Sequence, residues 1–479
     1  MSSQAPPIDT AMPGGKQITR NAQRRGRVVA AARAENAIWP VVLLLYAILL
    51  PREVRIDLGG LVFFADRMVA FAMLPFLLRS VFTGALRFRL PDAIILLAGS
   101  WMVLAMMRNY GFASGIERGG ALALDMVIGY FLARLCIKST RDLQRVLVVY
   151  APGLALAGGA ILAESLLSRE IVQPIAEAIF GRLPTYLSGE AVGFVEDRQQ
   201  YRLGFMRAAG PFPHPILGGL FLASMFSLYF WSTLRGWPKF AGIFAAACSF
   251  FSLSSAAILG LLMAFAFVGY DWIQQRVQNL SWGLVGIVGL VAAIALQILS
   301  QGGIVYVIVR YLTLNPATGY FRQLIWEYGL VSVRANPLFG IGFQGYERPI
   351  WMLTESVDAH WLLLAIRYGV PVAVLVLLLG AWAIYALSRA SVITTGSERQ
   401  AIRSLAMAIG VILLMAFTVA LNGGINAWFM IMTGAGITIA ARLQDGSTSP
   451  LGEGSPLPPR YHNAKRRRVG RVGRAALRR

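Results

Sequence analysis

Charge is scarce in this 479-residue chain: only 14% of its residues are Asp, Glu, Lys or Arg, against 57% hydrophobic. A soluble domain needs a larger charged and polar share to cover its surface, so lipid is the solvent for most of this one. Cysteine is nearly absent. Cys136 and Cys248 each lie inside an apolar run, which excludes a disulfide framework, and no metal-ligand spacing occurs anywhere. No cleavable leader is expected either. Residues 1–36 are polar, with Pro, Gly and Arg, and read as a disordered basic cytoplasmic segment, leaving the first span as an uncleaved signal.

What the chain has in quantity is apolar runs. They fall at 37–51, 61–82, 90–107, 119–137, 144–163, 213–233, 239–255, 256–271, 282–300, 360–388, 402–421 and 425–441. A span needs about 20 mostly apolar residues, and non-helical crossings would leave backbone groups unpaired in hydrocarbon. The expectation is an all-α polytopic membrane protein with about 12 transmembrane helices occupying 37–441. The pair at 239–271 is the least defined part of that number.

Net charge is +21. With the N-terminus inside, alternate segments 1–36, 79–89, 134–145, 235–239, 271–276, 389–403 and 442–479 together hold +22, and the rest of the chain holds −1. Basic residues mark the cytoplasmic loops, so both termini are expected inside. The tail, 442–479, carries Lys465, Arg466, Arg467 and Arg468. Such a cluster suits nucleic acid in isolation, but after a last span it reads as a topology determinant touching anionic lipid. No nucleic-acid partner is expected.

Two outside loops, about 164–212 and 301–359, are far longer than the rest and rich in aromatics, a length that in compact proteins accompanies function. They contain no lysine but nine arginines: Arg169, Arg182, Arg198, Arg202, Arg207, Arg310, Arg322, Arg334 and Arg348. A guanidinium presents a planar fork of donors suited to phosphate or carboxylate. The plainer account is pairing with the ten acids of the same loops, including Glu164, Glu355 and Asp358.

Three strings stand out. Arg207-Ala-Ala-Gly210-Pro211-Phe-Pro213-His214-Pro215 leads into the sixth span, placing an arginine on irregular backbone near a helix N-terminus, where N–H groups and the dipole favour an anion. Gly319-Tyr-Phe-Arg322-Gln-Leu-Ile-Trp326-Glu327 puts Arg322 and Trp326 on one helical face and continues to Asn336-Pro337-Leu-Phe-Gly340-Ile-Gly342-Phe343, an element suited to the membrane interface. Asp358-Ala-His360-Trp361 opens the tenth span; a lone histidine there is more often packing than catalysis.

Together the strings resemble the O-antigen ligase and polymerase superfamily of bacterial envelope glycosyltransferases. The resemblance covers roughly 200–370 at motif level; the asparagine usual after the family's histidine is Trp361 here. It implies a GT-C-like inner-membrane enzyme, without metal or cofactor, that transfers glycan on the periplasmic face from an undecaprenyl-pyrophosphate-linked oligosaccharide. The acceptor would be a growing glycan on a lipid-linked repeat unit (polymerase) or lipid A core (ligase), with polymerase favoured and a chain-length regulator as a further partner. By motif position, Arg207 and Arg322 take pyrophosphate and developing charge, with Arg202, Gly210, His214, Trp326, Glu327 and Asp358 in substrate binding. His360 is the first choice to orient or deprotonate the acceptor hydroxyl, Asp358 and Glu327 are rival bases, and His214 is the structural member of its turn. A transporter or lipid-linked-sugar flippase is the competing class; its mark would be charge at mid-membrane, and Asp125 in the fourth span is the residue to examine.

Overall fold

The structure, a computed structural model, describes residues 38–58, 61–183, 186–187, 190–191, 201–277, 280–299, 316–352 and 355–446. The N-terminal segment, the basic tail beyond 446, and Arg198 and Arg310 of the loops lie outside the described residues.

The chain runs through α1 (Trp39–Ile48), β1 (Arg55–Leu58), β2 (Leu61–Phe64), α2 (Ala65–Phe82), α3 (Leu90–Tyr110), α4 (Phe112–Cys136), α5 (Thr140–Leu167) and α6 (Val172–Phe180). After the short strands β3 (Tyr186–Leu187), β4 (Glu190–Ala191), β5 (Tyr201–Arg202) and β6 (Phe205–Met206) come α7 (Pro215–Phe230), α8 (Trp237–Cys248), a 3-10 turn (Ser249–Ser252), α9 (Ser255–Gln274) and α10 (Trp282–Leu299). Then follow α11 (Pro316–Ala335), α12 (His360–Tyr368), α13 (Val370–Ile393), α14 (Gly396–Met415) and α15 (Gly424–Gln444). Seven of these, α3, α4, α5, α9, α10, α13 and α15, are long and apolar enough to cross a membrane; α1 and α7 are apolar but shorter. The chain is therefore a mostly helical, multi-pass membrane protein. Every expected run meets a helix, though twelve crossings go beyond these seven.

Four stretches depart from the expected pattern. Run 61–82 opens as β2, paired antiparallel with β1 so that Arg55 faces Phe64, and turns helical at Ala65. Run 239–255 stops at Cys248, where the 3-10 turn and Leu253, at φ 45°, precede Ser254, whose hydroxyl caps α9 by accepting from the Ala257 N–H. The expected loop 301–359 contains the 20-residue α11. Run 360–388 is two helices meeting at a corner, Gly369.

That corner requires glycine. Gly369 sits at φ +91°, and a Cβ there would lie 2.0 Å from the Leu338 carbonyl oxygen. The Asn336–Phe343 string packs into the bend: Val370 N–H donates to Pro337 O at 2.8 Å, and Ile341 N–H to Ile366 O at 2.7 Å. Gly369→Ala combines a disfavoured φ with a backbone collision, so it should cost about 3 kcal/mol or more. Thermal unfolding of the detergent-purified protein checks this; an unchanged midpoint would mean the corner relaxes at no cost.

The core centres on α15, which packs against α4, α13, α14 and α1. Its small residues permit close approach, as at Gly434, where a Cβ would meet the Tyr130 carbonyl oxygen at 2.4 Å.

Helix ends sort into two sets. At one end, the start of α3 meets the end of α4: Arg134 donates to Asp92 from Nε (2.8 Å) and Nη2 (2.7 Å), beside the Tyr130 hydroxyl. Arg89 pairs there with Asp445 beyond α15. The ends of α7 and α9 and the starts of α10 and α14 gather on fully buried Asp271, which accepts from Trp231, Trp282 and Arg403. These buried carboxylates are satisfied structural hubs. The opposite end collects the turn before α7, the 249–254 turn, α11, the start of α12 and the α14–α15 connector at 416–423. Most of the sequence-derived site residues are there.

Candidate functional site

The turn at 207–214 is held from several directions. Gly210, at φ +58°, donates its N–H to Glu164 Oε2 at 2.8 Å, and a Cβ would lie 2.8 Å from Ile161 Cγ1. Glu164 is 2% exposed, and its other oxygen accepts from Ile171 and Val172 N–H at the start of α6, at 3.1 and 3.0 Å. Ala208 N–H donates to Phe251 O at 3.4 Å, and Arg202 Nη1 donates to Leu253 O at 3.3 Å. The 249–254 turn therefore forms a wall of the site.

His214 caps α7: Nδ1 accepts the Ile216 N–H at 3.1 Å, and its carbonyl accepts from Leu217 and Gly218. Position 215 is proline and has no N–H. The first-turn donors of α7 are thus consumed locally, and the expected role of backbone N–H groups in holding an anion there is corrected. Three guanidinium groups stand beside this turn.

Those groups converge. Arg202 and Arg207 precede the turn, and Arg322 reaches it from α11, more than a hundred residues away. Arg207 and Arg322 are 8% and 9% exposed. Burial lowers the pKa of Arg207 to about 10, with the charges of Arg202 and Arg322 acting in the same direction. Burial likewise lowers Arg202, with Arg322 adding to it, and lowers Arg322 against the opposing pull of Asp358. His214, just before α7, is pushed down to about 3 by burial, then by Arg207 and Arg322, so it is neutral at physiological pH. Three cations crowded in a poorly solvated space gain when an anion arrives.

One acid enters the cluster. Asp358 Oδ2 lies 3.9 Å from Arg322 Nε, an ion pair beyond hydrogen-bonding distance, and that Nε is buried with no hydrogen-bond partner among the described residues. Burial raises the Asp358 pKa above its usual value more strongly than Arg322 lowers it. Pairing between loop arginines and loop acids is realised more fully at Arg348, whose Nη2 donates to Glu355 Oε1 at 2.6 Å. Glu164 instead spends its carboxylate on backbone N–H groups.

The remaining expected residues sit at the edge. Trp326 donates Nε1–H to Phe417 O at 3.2 Å, and Glu327 is exposed on α11. His360 is 3% exposed and braces the α14–α15 connector: its N–H donates to Ala416 O (2.8 Å) and Val419 O (3.2 Å), while its ring Nδ1 accepts the Leu421 N–H at 3.2 Å. A neutral imidazole whose Nδ1 accepts carries its proton on Nε2, a donor. No group of three or more His, Cys, Asp or Glu that could hold a metal ion occurs among the described residues.

Sequence reasoning missed Glu164 as an organiser, although a carboxylate at the C-terminal end of a span opposes the helix dipole and was a usable signal. The 249–254 and 416–423 segments carried no comparable mark. No protein-family model matches the chain, and no curated protein matches it.

Proposed function

We propose that the chain is a glycosyltransferase of the bacterial inner membrane, acting on the periplasmic face. Its donor is a glycan linked to undecaprenyl pyrophosphate, and its job is polymerisation of repeat units of O-antigen or exopolysaccharide. The observation that carries this reading is the convergence of Arg202, Arg207 and Arg322 beside neutral His214, with Asp358 as the acid paired to Arg322. A lipid pyrophosphate leaving group needs fixed positive charge where its own negative charge grows, and preorganised guanidinium groups supply it without a metal. In the transfer, the acceptor hydroxyl oxygen bonds to the anomeric carbon while the bond from that carbon to the pyrophosphate oxygen breaks. The hydroxyl proton passes to Asp358. His360 positions the connector around the site.

Asp125 is the residue to examine for the transport reading. Its carboxylate is engaged by Arg67, with Nε to Oδ1 at 3.1 Å and Nη2 to Oδ2 at 2.6 Å, a forked pair between α2 and α4 that serves to join two helices.

A deletion strain tests the proposal by its glycans. Single repeat units on lipid A identify a polymerase, and polymer stranded on undecaprenyl pyrophosphate identifies a ligase to lipid A core. Intermediates retained on the cytoplasmic leaflet would overturn the transferase reading in favour of a flippase.

A further inference from the structure

The turn that carries the arginine cluster also borders a depression that the proposed chemistry has not used. Its walls include Phe212, Pro213 and Leu217, and its polar groups are Arg52, Asp66 and Asn422. The enclosed part measures about 30 Å3, within about 440 Å3 of open space that includes the mouth. The enclosed part takes one or two hydroxyl-sized groups, and the rest of a ligand would fill the mouth.

The three polar groups come from separate parts of the chain: the α1–β1 connection, the first turn of α2, and the α14–α15 connector. Each is placed. The Arg52 guanidinium lies over the Phe64 ring, 4.5 Å from its centroid. Asp66 Oδ1 accepts the Arg67 backbone N–H at 3.0 Å. Asn422 is exposed, and its amide makes no hydrogen bond among the described residues. No ion pair joins Arg52 to Asp66 among the described residues, so both line the space with hydrogen-bonding capacity in hand.

A carboxylate beside the guanidinium makes the depression a poor second site for pyrophosphate. A cation, a carboxylate and an amide around an apolar and aromatic wall instead match a neutral sugar, whose hydroxyls both donate and accept while its C–H face packs on a ring. Pro213 borders this depression, and His214, the next residue, feels the charges of Arg207 and Arg322. One turn therefore separates a cationic site from a polyol site.

We propose that this depression is the subsite for the acceptor's terminal sugar, held by Arg52, Asp66 and Asn422 while the donor pyrophosphate occupies the arginine cluster. This rests on the glycosyltransferase reading.

The test uses the full chain in nanodiscs and, as substrate, the lipid-linked glycan extracted from the deletion strain. Asn422→Ala and Asp66→Asn should each raise KM about tenfold, the loss of a hydrogen bond or two, with kcat within about threefold of wild type. Asn422→Gln should recover part of the loss, which a purely structural role would not predict. Unchanged KM in both variants, or a fall in kcat alone, would overturn the subsite while leaving an active wild type to support the function. A wild-type protein that transfers nothing from this substrate would remove both.

Discussion

Arg322→Lys should lower transfer by about 10²- to 10³-fold, the scale seen when one preorganised donor to a developing oxyanion is removed. The substitution keeps a formal charge and removes the fork. It also removes the buried Nε that lies 3.9 Å from Asp358 and has no hydrogen-bond partner among the described residues. The replacement ammonium would carry a second handicap. Burial already pulls the arginines of this cluster below their ordinary pKa, reinforced by neighbouring cations at Arg207 and opposed by Asp358 at Arg322, and a lysine starts lower and yields its proton more readily. The variant therefore risks losing the charge as well as the geometry. Polymer length on gels and accumulation of lipid-linked precursor give the readout, with unfolding temperature showing that the fold survives. Arg348→Lys is the control: that arginine is paired with Glu355 outside the cluster, and its variant should stay within about threefold of wild type. Near-normal polymer from Arg322→Lys would remove the residue from charge stabilisation.

The sequence made the membrane character and the clustered arginines legible for different reasons. Apolar runs and the one-sided distribution of Lys and Arg are local, and each can be read without knowing what touches what. Arg207 and Arg322 stood out because arginine without lysine, next to Gly and Pro, is an unusual local composition. Their convergence was not local. It depends on how α11 packs behind the turn before α7, and no spacing within either string encodes that. The same limit explains His360. Its position at a helix start is visible in sequence, but occupancy of its Nδ1 by the Leu421 N–H, sixty-one residues away, is not. Pro215 and the cap at His214 were readable, yet the consequence was missed: a histidine that caps its own helix uses donors that an anion would otherwise take. The break at Gly369 was hidden because apolar residues continue on both sides of it, and hydropathy does not register a corner.

Asp358→Asn should reduce kcat by about 10²- to 10⁴-fold, the range associated with a positioned general base. His360 commits its Nδ1 lone pair to the Leu421 N–H, which leaves Nε2–H as a donor. Asp358 instead lies beside Arg322, enclosed by protein on most sides yet with 38% of its side chain exposed, open enough to meet an acceptor hydroxyl. The pH dependence follows from the direction of its shift. Burial raises the carboxyl above its usual value, and a base works only when ionised, so wild-type rate should fall as pH drops through that raised value. The residual activity of the asparagine variant should lack this acidic limb. Stability should move the other way. A carboxyl whose folded pKa is raised favours its protonated form in the fold, so its contribution is fully present below the unfolded pKa and is lost as pH rises through the folded value. At neutral pH the ionised group is therefore a cost, and a neutral asparagine should leave the unfolding temperature unchanged or higher. A variant that is inactive yet at least as stable cannot be explained by misfolding. If instead the variant stays within about threefold of wild type and keeps the acidic limb, the proton goes elsewhere, and Glu327, exposed on α11 one residue from Trp326, becomes the group to replace next.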